Sequence, residues 1–278
     1  MGTTNKISET AFLVNASRAR RVEISRDIYA GLWVSDSTQE LWNDFAGKVY
    51  PYDDFVVATR TRYFLEHLRA FVDAFASPVF VNIGAGFTSY PFLIQRPCRS
   101  LEVDYAPIIH LKRDRVATWQ REGLLPGRPV EYLAADLKAR SDRERLNSQL
   151  AGWIGNDPSF ILLEGITYFL AMPVLIELFE TFSSLQLPDS VVGFDFWKPD
   201  IQANPVFIRL QKYVAEKFGY KETRYNLLDA GFVRSIQGYQ AAEITRVDEQ
   251  EKLYSKTPVL QNEEEILLEN YAILKKVP

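Results

Sequence analysis

The sequence predicts an α/β protein built on an open, mostly parallel sheet with helices on both faces. From Pro78 onward, short apolar runs rich in β-branched and aromatic residues alternate with helix-like segments. The first run, Val79-Phe80-Val81-Asn82-Ile83, passes directly into Gly84-Ala85-Gly86. Three of the runs also lead into carboxylates. A strand ending in Gly-x-Gly can turn sharply and let a nucleotide cofactor approach the backbone, because glycine accepts positive φ and has no Cβ. A ligand-free turn would use the same glycines, so the pair gains weight only from its surroundings.

In order, the strands read as Val79–Ile83, 100–103, 130–134, 160–163 and Val191–Phe196, with a final pair at 242–247 and 270–275. The helix predicted at 107–121 opens on Pro107 and closes before Gly123, and 173–185 opens on Pro173 after the fourth strand. A short helix is expected at 226–230, stopped by Gly231. Residues 1–77 read as a helical cover, 78–196 as a cofactor-binding core, 197–225 as an insertion and 226–278 as the completion of the sheet, all within one domain, 1–278. In an open parallel sheet the ligand crevice lies at the carboxyl ends of the strands. The 197–225 insertion leaves from such an end, which makes it a candidate lid, with the N-terminal helices closing the other side.

Composition narrows the function. The 278 residues, 47% hydrophobic and 13% aromatic, can bury a large core. A net charge of −4 and a pI near 5.4 argue against a nucleic-acid partner. The single cysteine, Cys98, excludes an internal disulfide and a cysteine zinc cluster, and so points to no metal and a reducing, cytoplasmic setting. No apolar run is long enough to span a bilayer and no leader pattern opens the chain, so no membrane association is expected.

Acids mark the strand ends. Asp104 closes Ser100-Leu101-Glu102-Val103-Asp104 twenty residues after Gly84, the interval at which a carboxylate reaches a cofactor ribose. Asp136 follows the third strand in Ala135-Asp136-Leu137, where it could accept an adenine amine, and Glu164 follows the fourth in Leu163-Glu164-Gly165. Each alone could be a helix cap. Three in order after Gly-x-Gly are harder to explain that way. Helical periodicity is a separate argument: Phe64, Leu68, Phe71, Val72 and Phe75 form an apolar stripe that Arg60 continues, whereas Arg62 aligns with Glu66, Arg69 and Asp73 on the charged face. A core-facing guanidinium needs an anion, either an internal carboxylate or the carboxylate of an amino-acid-like cofactor.

These residues resemble the leucine carboxyl methyltransferase family, including its bacterial branch of small-molecule and polyketide O-methyltransferases. The likeness runs through Asn82-Ile83-Gly84-Ala85-Gly86, Leu101-Glu102-Val103-Asp104-Tyr105 with Lys112, Ala135-Asp136-Leu137 and, most specifically, Glu164-Gly165-Ile166-Thr167-Tyr168-Phe169-Leu170. It extends from about Ser17 to the closing Glu269-Asn270-Tyr271-Ala272-Ile273-Leu274. The resemblance implies a class I S-adenosylmethionine-dependent methyltransferase fold, Rossmann-like, with a seven-stranded sheet whose last strand is antiparallel. It implies S-adenosylmethionine as cofactor. Arg60 would hold the methionyl carboxylate, Gly84 would pack on the methionyl part, Asp104 would hold the ribose, Asp136 and Leu137 would flank the adenine, and Glu164 would take the ammonium. Arg18 falls near a family lysine that reaches the cofactor. One departure stands out: the family's Asp-Thr two residues after the second glycine is replaced by Thr88-Ser89.

Methyl transfer from a sulfonium needs alignment and a deprotonated acceptor. Neither histidine is well placed as a base: His67 reads as a packing residue, and His110 sits on the cofactor side. That favours a small-molecule acceptor with a carboxylate, already ionised at neutral pH, over a hydroxyl. Tyr168, Lys198, Arg209 and Arg224 are candidates to bind it, with Trp197 and the Phe194-Asp195-Phe196 run as an apolar wall, though such a run could equally be core. The alternatives are a nicotinamide-dependent oxidoreductase, disfavoured because Ser89 stands at the third glycine of Gly-x-Gly-x-x-Gly, and a methyltransferase-like protein that binds without methylating.

Overall fold

The computed structural model describes residues 3–219 and 225–278, with side chains from residue 9 onward. Seven strands form one sheet: β1 (Val79–Ile83), β2 (Arg99–Asp104), β3 (Glu131–Ala134), β4 (Ser159–Leu163), β5 (Val191–Phe196), β6 (Tyr239–Arg246) and β7 (Asn270–Lys276), in the order β3-β2-β1-β4-β5-β7-β6. The pairs among β1 to β5 are parallel, while β7 runs antiparallel to both β5 and β6. Strand order reverses between β1 and β4, whose loops therefore part at the carboxyl edge and open a crevice. β1 and β4 are buried throughout, as expected of central strands covered on both faces.

The helices are α1 (Thr3–Arg20), α2 (Val22–Ser25), α3 (Asp36–Lys48), α4 (Asp53–Ala74), α5 (Tyr90–Leu93), α6 (Ala106–Arg121), α7 (Arg140–Ile154), α8 (Met172–Leu185), α9 (Pro205–Phe218), α10 (Ala230–Ser235) and α11 (Val247–Tyr254). α4 places Phe64, Leu68, Phe71 and Val72 in the core with Phe80 and Phe160 of the sheet. A second apolar layer on the opposite face joins Val81, Ile83 and Leu163 to α7 and α8 through Leu146, Leu150, Leu175 and Phe179. A third, smaller cluster fastens the N-terminal cover to the glycine loop: Phe87 stacks on Trp33 with centroids 4.2 Å apart and lies 4.5 Å from Phe12.

Three expectations need correction. The helix predicted at 226–230 begins instead at Ala230, because the Asp229 side chain accepts the Phe232 amide at 2.7 Å and caps it there. The sixth strand starts earlier, at Tyr239, and Val247 opens α11 rather than ending the strand. α7, unforeseen from the sequence, opens on a charged run, Arg140 to Arg145, and its apolar residues are confined to the second half, too short a stripe to stand out. No described helix is long and apolar enough to cross a membrane.

Candidate cofactor and active site

The turn after β1 supplies the floor of the crevice. Gly84 and Gly86 adopt φ of 73° and 45°, a region costly for side-chain-bearing residues. A Cβ at Gly84 would meet Ile166 Cδ1 at 2.8 Å, so the loop after β4 closes directly over it. Asp104, at the end of β2, accepts the Gly86 amide at 2.7 Å through Oδ2 and the Tyr105 amide at 2.7 Å through Oδ1. Burial keeps its pKa above the ordinary carboxylate range. Each oxygen keeps a further lone pair, which is the capacity a pair of ribose hydroxyls requires. Glu102 does not join it. Its side chain lies beneath the turn, paired at 2.8 Å with the buried Lys112, which also donates to the Ala85 carbonyl at 3.4 Å.

Beside the turn lies a buried charge network. Arg60 donates from Nε to Glu164 at 3.0 Å and from Nη1 to both Asp195 and Glu269 at 2.9 Å. It is 4% exposed, whereas the Arg62 side chain is 21% exposed and pairs with Glu66 at 2.6 Å, so the helical phase read from the stripe is the one observed. Arg18 reaches the same Glu164 at 3.3 Å and donates to Thr61 at 2.9 Å. Tyr90 donates to the other oxygen of Glu164 at 2.6 Å. Burial would raise the Glu164 pKa, but the charges of Arg18 and Arg60 together with the Tyr90 and Arg60 hydrogen bonds bring it below the ordinary value. Glu269 differs: burial, with Asp195, Asp53 and Glu164 nearby, outweighs Arg60 and pushes it up to about 8.

Asp136 and Leu137 follow β3 at the same edge of the sheet. Asp136 Oδ1 accepts the Lys138 amide at 2.8 Å and so shapes its own loop, while Leu137 is buried. Tyr168 is buried too, with its hydroxyl donating to Asp195 and its ring stacked 3.9 Å from Trp197. Phe207 and Tyr225 complete that aromatic cluster around Trp197. Phe194 and Phe196 are fully buried core residues on the α8 side, the core alternative of the two left open for their run. Arg209 stands apart from the network: it donates to the Val49 carbonyl at 2.6 Å and lines a recess of about 350 Å³ with Lys48, Tyr50, Tyr52 and Glu265. Arg224 lies outside the described residues, as do residues 220–224 of the lid insertion. His67 packs on Tyr63 at 4.5 Å and faces Glu243 at 3.4 Å, and His110 is exposed.

Sequence reasoning missed Asp195 and Glu269 as the partners of Arg60. Asp195 was detectable as a lone acid in the buried run Val191–Phe196. Glu269 precedes β7, and because β7 is antiparallel its start lies beside the end of β5, with Asn270 opposite Phe196.

The model of the leucine carboxyl methyltransferase family matches residues 10–183. The chain belongs to that family. Similar solved structures share the fold at low identity: a provisionally assigned methyltransferase of Thermobifida fusca YX (15% identity, 93% of this chain and 95% of that one, TM-score 0.62) and a DUF574-family protein of Streptomyces avermitilis MA-4680 (13%, 94% and 97%, 0.60). The magnesium protoporphyrin IX methyltransferase of Synechocystis PCC 6803, solved with bound S-adenosylhomocysteine, matches over 87% of this chain and 95% of its own (13%, TM-score 0.50). No curated protein matches the sequence. By family and fold the protein is an S-adenosylmethionine-dependent methyltransferase, and the oxidoreductase alternative falls with that assignment. The residues present suit this cofactor, since the glycine turn, the Asp104 oxygens and the paired guanidinia of Arg18 and Arg60 all face one edge of the sheet.

Proposed function

We propose that this leucine carboxyl methyltransferase family member is an O-methyltransferase of a small-molecule acceptor, with a carboxylate as the preferred nucleophile. The Arg18–Glu164–Arg60 bridge beside the glycine turn carries the cofactor part of the reading. Glu164 holds both guanidinia in place, so that their remaining N–H groups can receive the methionyl carboxylate; the preference for a carboxylate acceptor rests on the absence of a well-placed histidine base among the described residues. Gly84 and Gly86 let the backbone lie close to the methionyl chain, Asp104 holds the ribose, and Asp136 with Leu137 lines the adenine end. When bound, S-adenosylmethionine supplies an electrophilic methyl group. The chain's part is to align it and exclude water.

Acceptor recognition is assigned to the neighbourhood of Tyr168 and Trp197 and to the recess beside Arg209. Tyr50 lines that recess while its hydroxyl bonds Asp53 at 2.9 Å, and burial, with Asp53 and then Glu269 nearby, raises the Tyr50 pKa. Arg209 and Lys48 among its lining, the latter also paired with Asp44 at 2.6 Å, offset Glu265 and suit an anionic end. A hydroxyl acceptor is the second reading: Glu269, pushed up to about 8, is mostly protonated at neutral pH, but its ionised fraction is a stronger base than an ordinary carboxylate. The test pairs thermal shift with a turnover assay. S-adenosylmethionine and S-adenosylhomocysteine should raise the melting temperature while NAD does not, and S-adenosylhomocysteine should accumulate with a panel of small carboxylic acids. Accumulation only with phenols or alcohols would select the second reading. Cofactor binding with no turnover on any acceptor panel would favour a protein that binds without methylating.

A further inference from the structure

The loops that leave β4 and β5 meet in an aromatic cluster at the carboxyl edge of the sheet. Trp197 stacks on Tyr168 and takes Phe207 and Tyr225 edge-on at 5.4 and 5.3 Å, and Tyr225 lies 5.6 Å from Phe169. Residues 226–228 lace the two loops together: the Asn226 backbone amide donates to the Tyr168 carbonyl at 2.7 Å, and that of Leu228 to the Trp197 carbonyl at 2.8 Å. Two side-chain donors are left over. Trp197 is 4% exposed, yet its Nε1–H has no acceptor among the described residues, and the buried Nδ2 of Asn226 has none either. An unpaired buried donor costs free energy, and such atoms in native proteins call for an explanation.

The cluster is not a sealed core. Its outermost ring, Phe169, is 46% exposed, Tyr225 is only partly buried, and Asn226 follows Tyr225 directly. Resting on the small-molecule reading above, we propose that this cluster seats an aromatic carboxylic acid as the acceptor. Its ring lies on Phe169 and Tyr225, and one carboxylate oxygen accepts from Trp197 Nε1 and Asn226 Nδ2. A carboxylate oxygen takes two hydrogen bonds and brings no proton of its own, which is what two unpaired donors require. Aromatic rings gain from offset and edge contacts with one another beyond the area they bury, so a flat aryl acid is favoured over a saturated one of the same skeleton.

The experiment follows the tryptophan indole N–H signals of the nitrogen-15-labelled full chain, saturated with S-adenosylhomocysteine. The chain has five tryptophans, and the signal lost in Trp197→Phe identifies Trp197. Titration with 2-naphthoate should move that signal downfield, while decahydro-2-naphthoate, its saturated counterpart, should bind about tenfold more weakly or less. Asn226→Asp and Asn226→Ala should each weaken 2-naphthoate about tenfold or more. Both should bind S-adenosylhomocysteine within about twofold of wild type by calorimetry, which a fold damaged by the substitution would not do. A Trp197 signal that 2-naphthoate leaves in place, equal binding of the saturated acid, or full affinity in both Asn226 variants would overturn the assignment. Carboxylic acids that are methylated without moving Trp197 would overturn it too, and leave the carboxylate reading standing. A Trp197 shift with no S-adenosylhomocysteine formed from S-adenosylmethionine and 2-naphthoate would support the seat and overturn the reading on which it rests.

Discussion

Replacing Glu269 by glutamine tests the electrostatics of the buried network most directly. The amide keeps an oxygen for Arg60 Nη1, now at 2.9 Å, but it cannot ionise. Glu269 has a folded pKa of about 8 against a reference of 4.5. Between those values the folded state binds a proton that the unfolded state has released. Stability attributable to this group is therefore full below about pH 4.5 and declines as pH rises toward about 8. The slope approaches roughly 1.4 kcal/mol per pH unit when the difference is a whole proton. Because Asp195 shares the same guanidinium nitrogen, part of the effect belongs to the pair, and a total on the order of 3 kcal/mol is expected. Glu269→Gln should match wild type near pH 5 and exceed it increasingly toward pH 8. Denaturant midpoints measured on both proteins across that range decide the matter. A difference that does not vary with pH, or wild type gaining on the variant as pH rises, would refute the reasoning.

The other predictions concern the remaining buried pairs. Arg60→Ala leaves Glu164, Asp195 and Glu269 short of their shared cation, so it should cost about 3–5 kcal/mol of stability and weaken S-adenosylhomocysteine by about 2 kcal/mol or more. Arg62→Ala, on the exposed face, should change stability by less than about 1 kcal/mol and leave binding alone; comparable losses in calorimetry and denaturation would contradict this division. Lys112→Met strands the fully buried Glu102 and should cost about 3–5 kcal/mol, with much of the loss recovered in Lys112→Met/Glu102→Gln. A double variant no more stable than Lys112→Met would show that the pair is not coupled.

The strand-to-glycine passage, the succession of strands and helices along the chain and the helical phase of Arg60 were legible in the sequence because each depends on local periodicity or on glycine's freedom at positive φ. Ranges for β1 and β5 agree with the sequence reading to the residue, and the buried Arg60 and partly exposed Arg62 lie two positions apart as the stripe requires. The acids at 104, 136 and 164 were readable for the same reason: parallel strands deliver all their ends to one edge. What Arg60 touches was not readable. Its partners Asp195 and Glu269 lie 135 and 209 residues away, and Glu269 arrives only because β7 reverses direction, which turns a strand's beginning toward the edge where the others finish. Arg18 reaches Glu164, 146 residues away, through the docking of the N-terminal cover, a long-range packing event with no periodic signature in the chain. Local sequence thus determined which segments form strands and which helix face is apolar. Tertiary structure decided which charges share a desolvated space, because that depends on contacts between segments far apart in the chain.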